Sequence, residues 1–209
     1  MTSLLNFAAL DATPLAHDPF DHLILPAFIK LDALTAINRD FPALKDPGNH
    51  AVEKLAYGPA FQALLHALNS PEVAEQFATK FGVGLTGYPT TITIRKYCEL
   101  SDGNIHTDHP SKIITILLYF NTNWLHEGGK LRLLRSARNI EDYATEIEPV
   151  GGTLLAFRRS DKSFHGHKPF IGERRILQMS WLKPAPLAQY KQKLDRFSTQ
   201  LIKRASRLF

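Results

Sequence analysis

Apolar residues in the first third of the chain recur at spacings of three and four. Leu31, Leu34, Ile37 and Phe41 form one such series and Phe61, Leu64, Leu65 and Leu68 a second, each the inward stripe of an amphipathic helix. Pro59 opens the second segment. Ser70-Pro71 has the form of an N-cap with proline at the first helical position, and Gly82 suits the matching stop, which predicts a third helix. Between the first two, residues 46–59 (DPGNHAVEKLAYGP) have the composition of a loop.

After Gly87 the period changes. TTITIRKYC (90–98), KIITILLYF (112–120), GKLRLL (129–134), GTLLAF (152–157) and RRILQMSW (174–181) are short β-branched or leucine-rich runs. Gly, Asn, Asp and Pro clusters separate them, as strands are usually punctuated. A helical preface followed by many short strands predicts an α+β fold, an antiparallel sandwich or jelly roll with helices outside. The expected organisation is one domain over residues 1–209: a helical part (1–89), a jelly-roll core (90–182) and a basic C-terminal helix (183–209). In that last segment Leu187, Tyr190, Leu194, Phe197, Leu201 and Leu208 trace an apolar stripe. Such a stripe can dock on the body, pair with its twin in a homodimer, or lie on an anionic membrane surface or nucleic acid.

Composition narrows this picture modestly. A hydrophobic content of 44% in 209 residues supports a real core, and whole-chain disorder is excluded. No run approaches the roughly 20 apolar residues of a membrane span. The N-terminus lacks a basic first segment and meets Asp11 early, so no secretory signal is expected. Cys98 is the single cysteine and can form no internal disulfide, which fits a reducing, cytoplasmic setting. The net charge is +5, but seven Lys or Arg against Asp195 after Leu182 give the tail +6, leaving −1 for residues 1–182. The body is therefore not a basic nucleic-acid surface.

Three places carry candidate chemistry. In the segment before residues 112–120, His106 and Asp108 point to one side if the chain is extended, and an imidazole and a carboxylate so placed can grip one metal ion. After residues 152–157, His165 or His167 can supply a third ligand, and local spacing does not choose between them. Two histidines and one carboxylate on one face of an octahedron mark a non-haem iron(II) oxygenase, whereas a zinc hydrolase uses the same donors differently. In the last strand Arg175, Leu177, Met179 and Trp181 share one face, and Arg174, Ile176, Gln178 and Ser180 the other. An arginine on the apolar face calls for an anionic partner, and a small dicarboxylic acid would match its planar fork. A rim arginine paired with Glu173 or Glu148 satisfies the same pattern, and Arg174 reads as solvated.

Taken in order, these motifs resemble the iron(II)- and 2-oxoglutarate-dependent dioxygenases, in particular the prolyl-hydroxylase-like branch. Arg95-Lys96-Tyr97 followed by His106-Thr107-Asp108 is similar to that family's first metal-binding block. Tyr119-Phe120-Asn121, Glu127-Gly128-Gly129-Lys130-Leu131, Gly152-Thr153-Leu154-Leu155-Ala156-Phe157 and Phe164-His165 follow in the family's sequence. Arg175 stands at the family's basic position, ten residues beyond the distal histidine.

The resemblance implies that His106, Asp108 and His165 bind Fe(II). It implies that Arg175 pairs with the distal carboxylate of 2-oxoglutarate, that Tyr119 donates its hydroxyl there, and that Tyr97 lines the same pocket. His167 is given no ligand role. The implied reaction hydroxylates an unactivated C–H bond with dioxygen while 2-oxoglutarate is decarboxylated to succinate and CO2, with ascorbate as a stimulant. Peptidyl proline is the first substrate suggested, with a small metabolite open beside it. A non-catalytic jelly-roll binding module and a zinc hydrolase using the same ligands are the alternatives.

Overall fold

A computed structural model describes residues 4–184, so the expectation of a C-terminal helix lies outside the described residues. The elements run α1 (Phe7–Ala12), β1 (His22–Leu25), α2 (Leu31–Arg39), β2 (His50–Ala51), α3 (Pro59–Leu68), α4 (Pro71–Phe81), β3 (Thr90–Cys98), β4 (Lys112–Tyr119), β5 (Leu131–Leu134), β6 (Tyr143–Ile147), β7 (Leu154–Arg158), β8 (His165–His167) and β9 (Gly172–Leu182). Among the described residues no helix is long and apolar enough to cross a membrane.

The three expected helices form, α2 and α3 read from spacing and α4 from its caps, but Leu31 of the α2 stripe is exposed. Ser70 accepts a hydrogen bond from the Val73 amide at the start of α4, and Gly82 closes it at φ 61°, a left-handed conformation suited to glycine. At the start of α3, Asp40 accepts the Ala60 amide at 2.7 Å, which ties the end of α2 to the next helix.

The strands form two antiparallel sheets. The larger has the order β1-β7-β4-β9-β3-β2, the smaller β6-β5-β8. Two strands of the larger sheet come from the part expected to be helical or looped. β1 pairs with β7 at one edge, and β2, inside residues 46–59, pairs with β3 at the other. Backbone pairing overrides weak local signals in elements of four and two residues.

Each central strand is buried on both faces. Ile114, Ile116 and Leu118 of β4, Leu154 and Ala156 of β7, and Leu177, Met179 and Trp181 of β9 pack against the helices. The alternate residues Leu117, Tyr119, Leu155, Phe157 and Ile176 meet Leu131, Leu133 and Ile147 of the smaller sheet. Two facing antiparallel sheets with helices on one outer side are the expected jelly-roll arrangement. Each large side chain so buried contributes about 1.5–3 kcal/mol. The inner layer between the sheets holds the candidate site.

Candidate metal centre and anion pocket

His106 and His165 come from different elements but share a backbone ladder. The His106 amide donates to the His165 carbonyl at 3.0 Å, and the His165 amide returns the bond at 2.9 Å. The segment carrying His106 thus lies beside β8, and the two imidazole centroids stand 4.4 Å apart. Asp108 follows two residues later, and ligand atoms of His106, Asp108 and His165 all lie within 4.8 Å of one another. His106 is exposed while Asp108 and His165 are buried, so the cluster opens to solvent on the His106 side.

Both imidazoles are oriented by carbonyls. Nδ1 of His106 bonds the Asn104 carbonyl at 2.8 Å, and Nδ1 of His165 bonds the Ser163 carbonyl at 2.9 Å. A carbonyl only accepts, so Nδ1 carries the proton and Nε2 keeps its lone pair for a metal. Burial pushes His165 from 6.5 down to about 4, with His106 and Lys112 adding to the effect against Asp108. Burial pushes the Asp108 carboxyl up, but Lys112, His165 and Thr115 outweigh it and hold it below its ordinary value. The donor set is two imidazoles and one carboxylate, which fits a divalent transition metal.

A second feature lies deeper between the sheets. Tyr119 is fully buried and its hydroxyl has no hydrogen-bond partner. Arg174 is 3% exposed, donates through Nε to the Gly129 carbonyl at 2.6 Å, and leaves Nη2 without a partner. Its guanidinium carbon stands 5.7 Å from the centroid of the Tyr119 ring. Two orphaned donors at one buried place are costly unless an acceptor joins them. A carboxylate of a small acid would supply that acceptor and the missing negative charge.

Arg175, the arginine expected to bind this acid, is not brought there. Its Nε pairs with Glu173, its guanidinium carbon lies 5.6 Å from the Phe41 ring, and its side chain is 27% exposed. It is the rim arginine of the other reading. The strand parity is as expected, with Arg174 and Ile176 inward; the inner face, however, belongs to Arg174. β9 is buried on both faces, and its more polar side, with Arg174 and Ser180, is the one turned to the smaller sheet, so the apolar pattern pointed to the helix side instead. The register also slips here, since Arg95 faces Ile176 but Tyr97 faces Glu173, so Arg174 and Arg175 together oppose Lys96. That slip sets Tyr97 opposite Glu173, with the Lys96 ammonium 5.3 Å from its ring, and brings Cys98 beside Arg174 instead. His167 is buried, and burial followed by the Arg174 charge pushes it down to about 4.

Three residues at the site escaped sequence reasoning. The Asp108 carboxylate takes Lys112 Nζ on Oδ1 at 2.8 Å and Thr115 Oγ1 on Oδ2 at 2.5 Å, and Thr115 in turn meets Ser180 Oγ at 3.0 Å. Thr115 shares strand parity with Tyr119, a signal that was available; Lys112 carried none.

Residues 92–183 match the family described as the 2OG-Fe(II) oxygenase superfamily. That match runs from within β3 to the end of β9. Among solved structures the chain is similar to a Pseudomonas putida prolyl-4-hydroxylase at 20% identity and TM-score 0.59, over 85% of this chain and 98% of that one. It is similar to the viral collagen prolyl hydroxylase of Paramecium bursaria Chlorella virus-1 at 14% identity and TM-score 0.54, over 81% and 99%. A Trichoplax adhaerens prolyl hydroxylase, in complex with a hypoxia inducible factor peptide fragment, matches at 18% identity and TM-score 0.56, over 78% and 83%. At these identities the likeness is one of fold. No curated protein matches the chain. The matched family and these neighbours are 2-oxoglutarate-dependent oxygenases and prolyl hydroxylases, the enzyme class expected from the sequence motifs.

Proposed function

We propose that this chain is an Fe(II)- and 2-oxoglutarate-dependent dioxygenase that hydroxylates an unactivated C–H bond. The observation that carries the reading is the Tyr119–Arg174 pair, buried with unsatisfied polar atoms in a fold whose strand β8 brings His165 together with His106 and Asp108. A zinc hydrolase has no use for a buried guanidinium and hydroxyl without partners, whereas a chelating dicarboxylic acid has use for both. Arg174, not Arg175, holds the distal carboxylate in this reading, and Tyr119 donates its hydroxyl to it.

His106, Asp108 and His165 would hold Fe(II), which with 2-oxoglutarate and dioxygen would supply the oxidising chemistry, giving succinate, CO2 and a hydroxylated substrate. The chain's own work is positional. The carbonyls of Asn104 and Ser163 aim two Nε2 lone pairs at one point, and Thr115 fixes one oxygen of Asp108. Tyr119 keeps its proton, since burial pushes it up to about 12 against the Arg174 charge, so it remains a donor at any working pH. The apolar layer of Leu117, Leu131, Leu133, Leu155, Phe157 and Ile176 keeps water from the acid's methylene chain.

Peptidyl proline is the first substrate class to try, supported by the prolyl hydroxylases among similar folds, and a small metabolite is the second. The test is anaerobic binding followed by turnover. Purified protein binds 2-oxoglutarate in the presence of Fe(II) and releases succinate when oxygen is admitted, and Asp108→Ala does neither efficiently. Folded protein that binds neither metal nor 2-oxoglutarate overturns the reading.

A further inference from the structure

We propose that Lys112 is a built-in counter-cation of the metal centre, its ammonium holding the Asp108 carboxylate until a divalent ion replaces it. The inference rests on the metal-binding reading above and adds a residue to it. Asp108 is 7% exposed, and an ionised carboxylate so buried needs a compensating charge. Its two oxygens are held in different ways. Oδ2 takes the hydroxyl of Thr115, itself 1% exposed and linked to Ser180 inside the sheet, so that oxygen is fixed by rigid strands. Oδ1 takes Lys112 Nζ at 2.8 Å, on a flexible four-carbon stem whose side chain is 17% exposed. The first contact orients the carboxylate, and the second can swing away.

The backbone places Lys112 for this. Ile114, Ile116 and Leu118 face the helices, and a regular strand would send Lys112 the same way. Between Lys112 and Ile114 the pairing of β4 with β9 slips, since Lys112 faces Leu182 but Ile114 faces Trp181. Such irregularities re-aim a side chain, and here Lys112 reaches Asp108. The neighbouring Arg159 does not compete, because its Nε donates to the Asp108 backbone carbonyl and its Nη2 pairs with Asp161.

Metal binding is then an exchange of cations on one carboxylate oxygen. An ammonium and a divalent ion cannot both sit at that oxygen without repulsion, so Lys112 lowers the site's affinity for metal while stabilising the metal-free fold. The opposite role, in which Lys112 orients Asp108 for the metal, makes the contrary prediction.

Mn(II) alone, titrated anaerobically into the full chain by calorimetry and by electron paramagnetic resonance, separates them. Lys112→Met and Lys112→Gln are expected to bind Mn(II) about tenfold or more tightly than the wild type, while Lys112→Arg stays within about threefold of it. Metal-free Lys112→Gln is expected to melt below wild type, and saturating Mn(II) to raise its melting temperature by more than the wild type's. The glutamine amide still donates to Asp108, so this variant keeps a folded protein in the test. Unchanged or weaker Mn(II) binding in Lys112→Gln overturns the proposal and leaves the metal centre intact. A wild type that binds no Mn(II) overturns the metal-centre reading first, and this inference with it.

Discussion

Tyr119 and Arg174 face one another between the two sheets, each buried and each with a polar atom that no protein group satisfies. Their neighbours explain why the gap persists. Leu117, Leu155 and Ile176 belong to the same apolar cluster as Tyr119, and the Gly129 carbonyl takes the Nε of the guanidinium. An isolated buried guanidinium is expensive, and burial holds Arg174 below its ordinary value. An anion joining the pair, as proposed, would offset that cost to the free protein.

The two adjacent arginines therefore give opposite results on substitution. Arg174→Ala is expected to weaken 2-oxoglutarate binding by roughly ten- to a hundredfold, the cost of a charge-assisted hydrogen bond of about 1.5–3 kcal/mol. Arg175→Ala loses a half-exposed pair with Glu173 and a contact with Phe41, and is expected to leave that affinity within about threefold. Calorimetric titration of both variants in the presence of Mn(II) decides between them. A larger loss in Arg175→Ala would return the carboxylate to the outer arginine.

Tyr119→Phe tests the other half of the pair. Removing the hydroxyl is expected to weaken 2-oxoglutarate about tenfold, because one donor to the carboxylate is gone. The same change deletes a buried unsatisfied group while keeping the ring, so the ligand-free melting temperature is expected to hold or rise. Lower stability together with unchanged affinity would show that the hydroxyl serves the fold and not the acid.

These two neighbours also show where sequence reading runs out. The 3.6-residue period gave α2 and α3, although α2 ends at Arg39 and leaves Leu31 of its expected stripe exposed, and Ser70 and Gly82 marked the ends of α4 chemically. His106, Asp108 and His165 were legible as a set because alternation aligned the first two and the motif order singled out the third. β1 was not legible: HLIL is four residues with no alternation, and only its pairing with β7 makes it a strand. Arg174 was misjudged for a related reason. The polar side of β9 that carries Arg174 and Ser180 reads as solvated but is buried between the sheets, and the slip opposite Lys96 leaves no mark in composition. Lys112 escaped in the same way, through the irregularity at the start of β4.

Acid is expected to destabilise the metal-free protein through two histidines. His165 and His167 are both pushed from 6.5 down to about 4 in the folded chain, mainly by burial. Between those values the unfolded chain binds protons that the folded one refuses, so stability falls as pH drops from about 6.5 toward 4. Each histidine contributes a slope of up to about 1.4 kcal/mol per pH unit. Asp108, held below its ordinary value, keeps its contribution throughout that range and adds a loss only in stronger acid. Urea unfolding at several pH values measures the slope. His167→Gln is expected to flatten it while Mn(II) still binds, and an unaltered slope in that variant would remove His167 from the explanation.

The loop that carries His106 depends on a residue with no side chain. Gly103 sits at φ +90°, and its carbonyl accepts the His167 amide at 2.9 Å, which pins the loop to β8. A Cβ there would stand 2.4 Å from Nδ1 and 2.5 Å from the carbonyl oxygen of His167, and one of those neighbours is backbone. Gly103→Ala must therefore push the loop from β8 besides straining its own backbone. His106 lies three residues on and is held to His165 by two backbone hydrogen bonds, so the displacement reaches the metal ligands. The expected result is a loss of about 1–3 kcal/mol in stability and at least roughly tenfold weaker Mn(II) binding. Gly84→Ala is the control, since an added Cβ there meets nothing within 4 Å and the backbone is not left-handed. If Gly103→Ala binds Mn(II) as tightly as this control, the contact of the loop with β8 does not set the geometry of the metal centre.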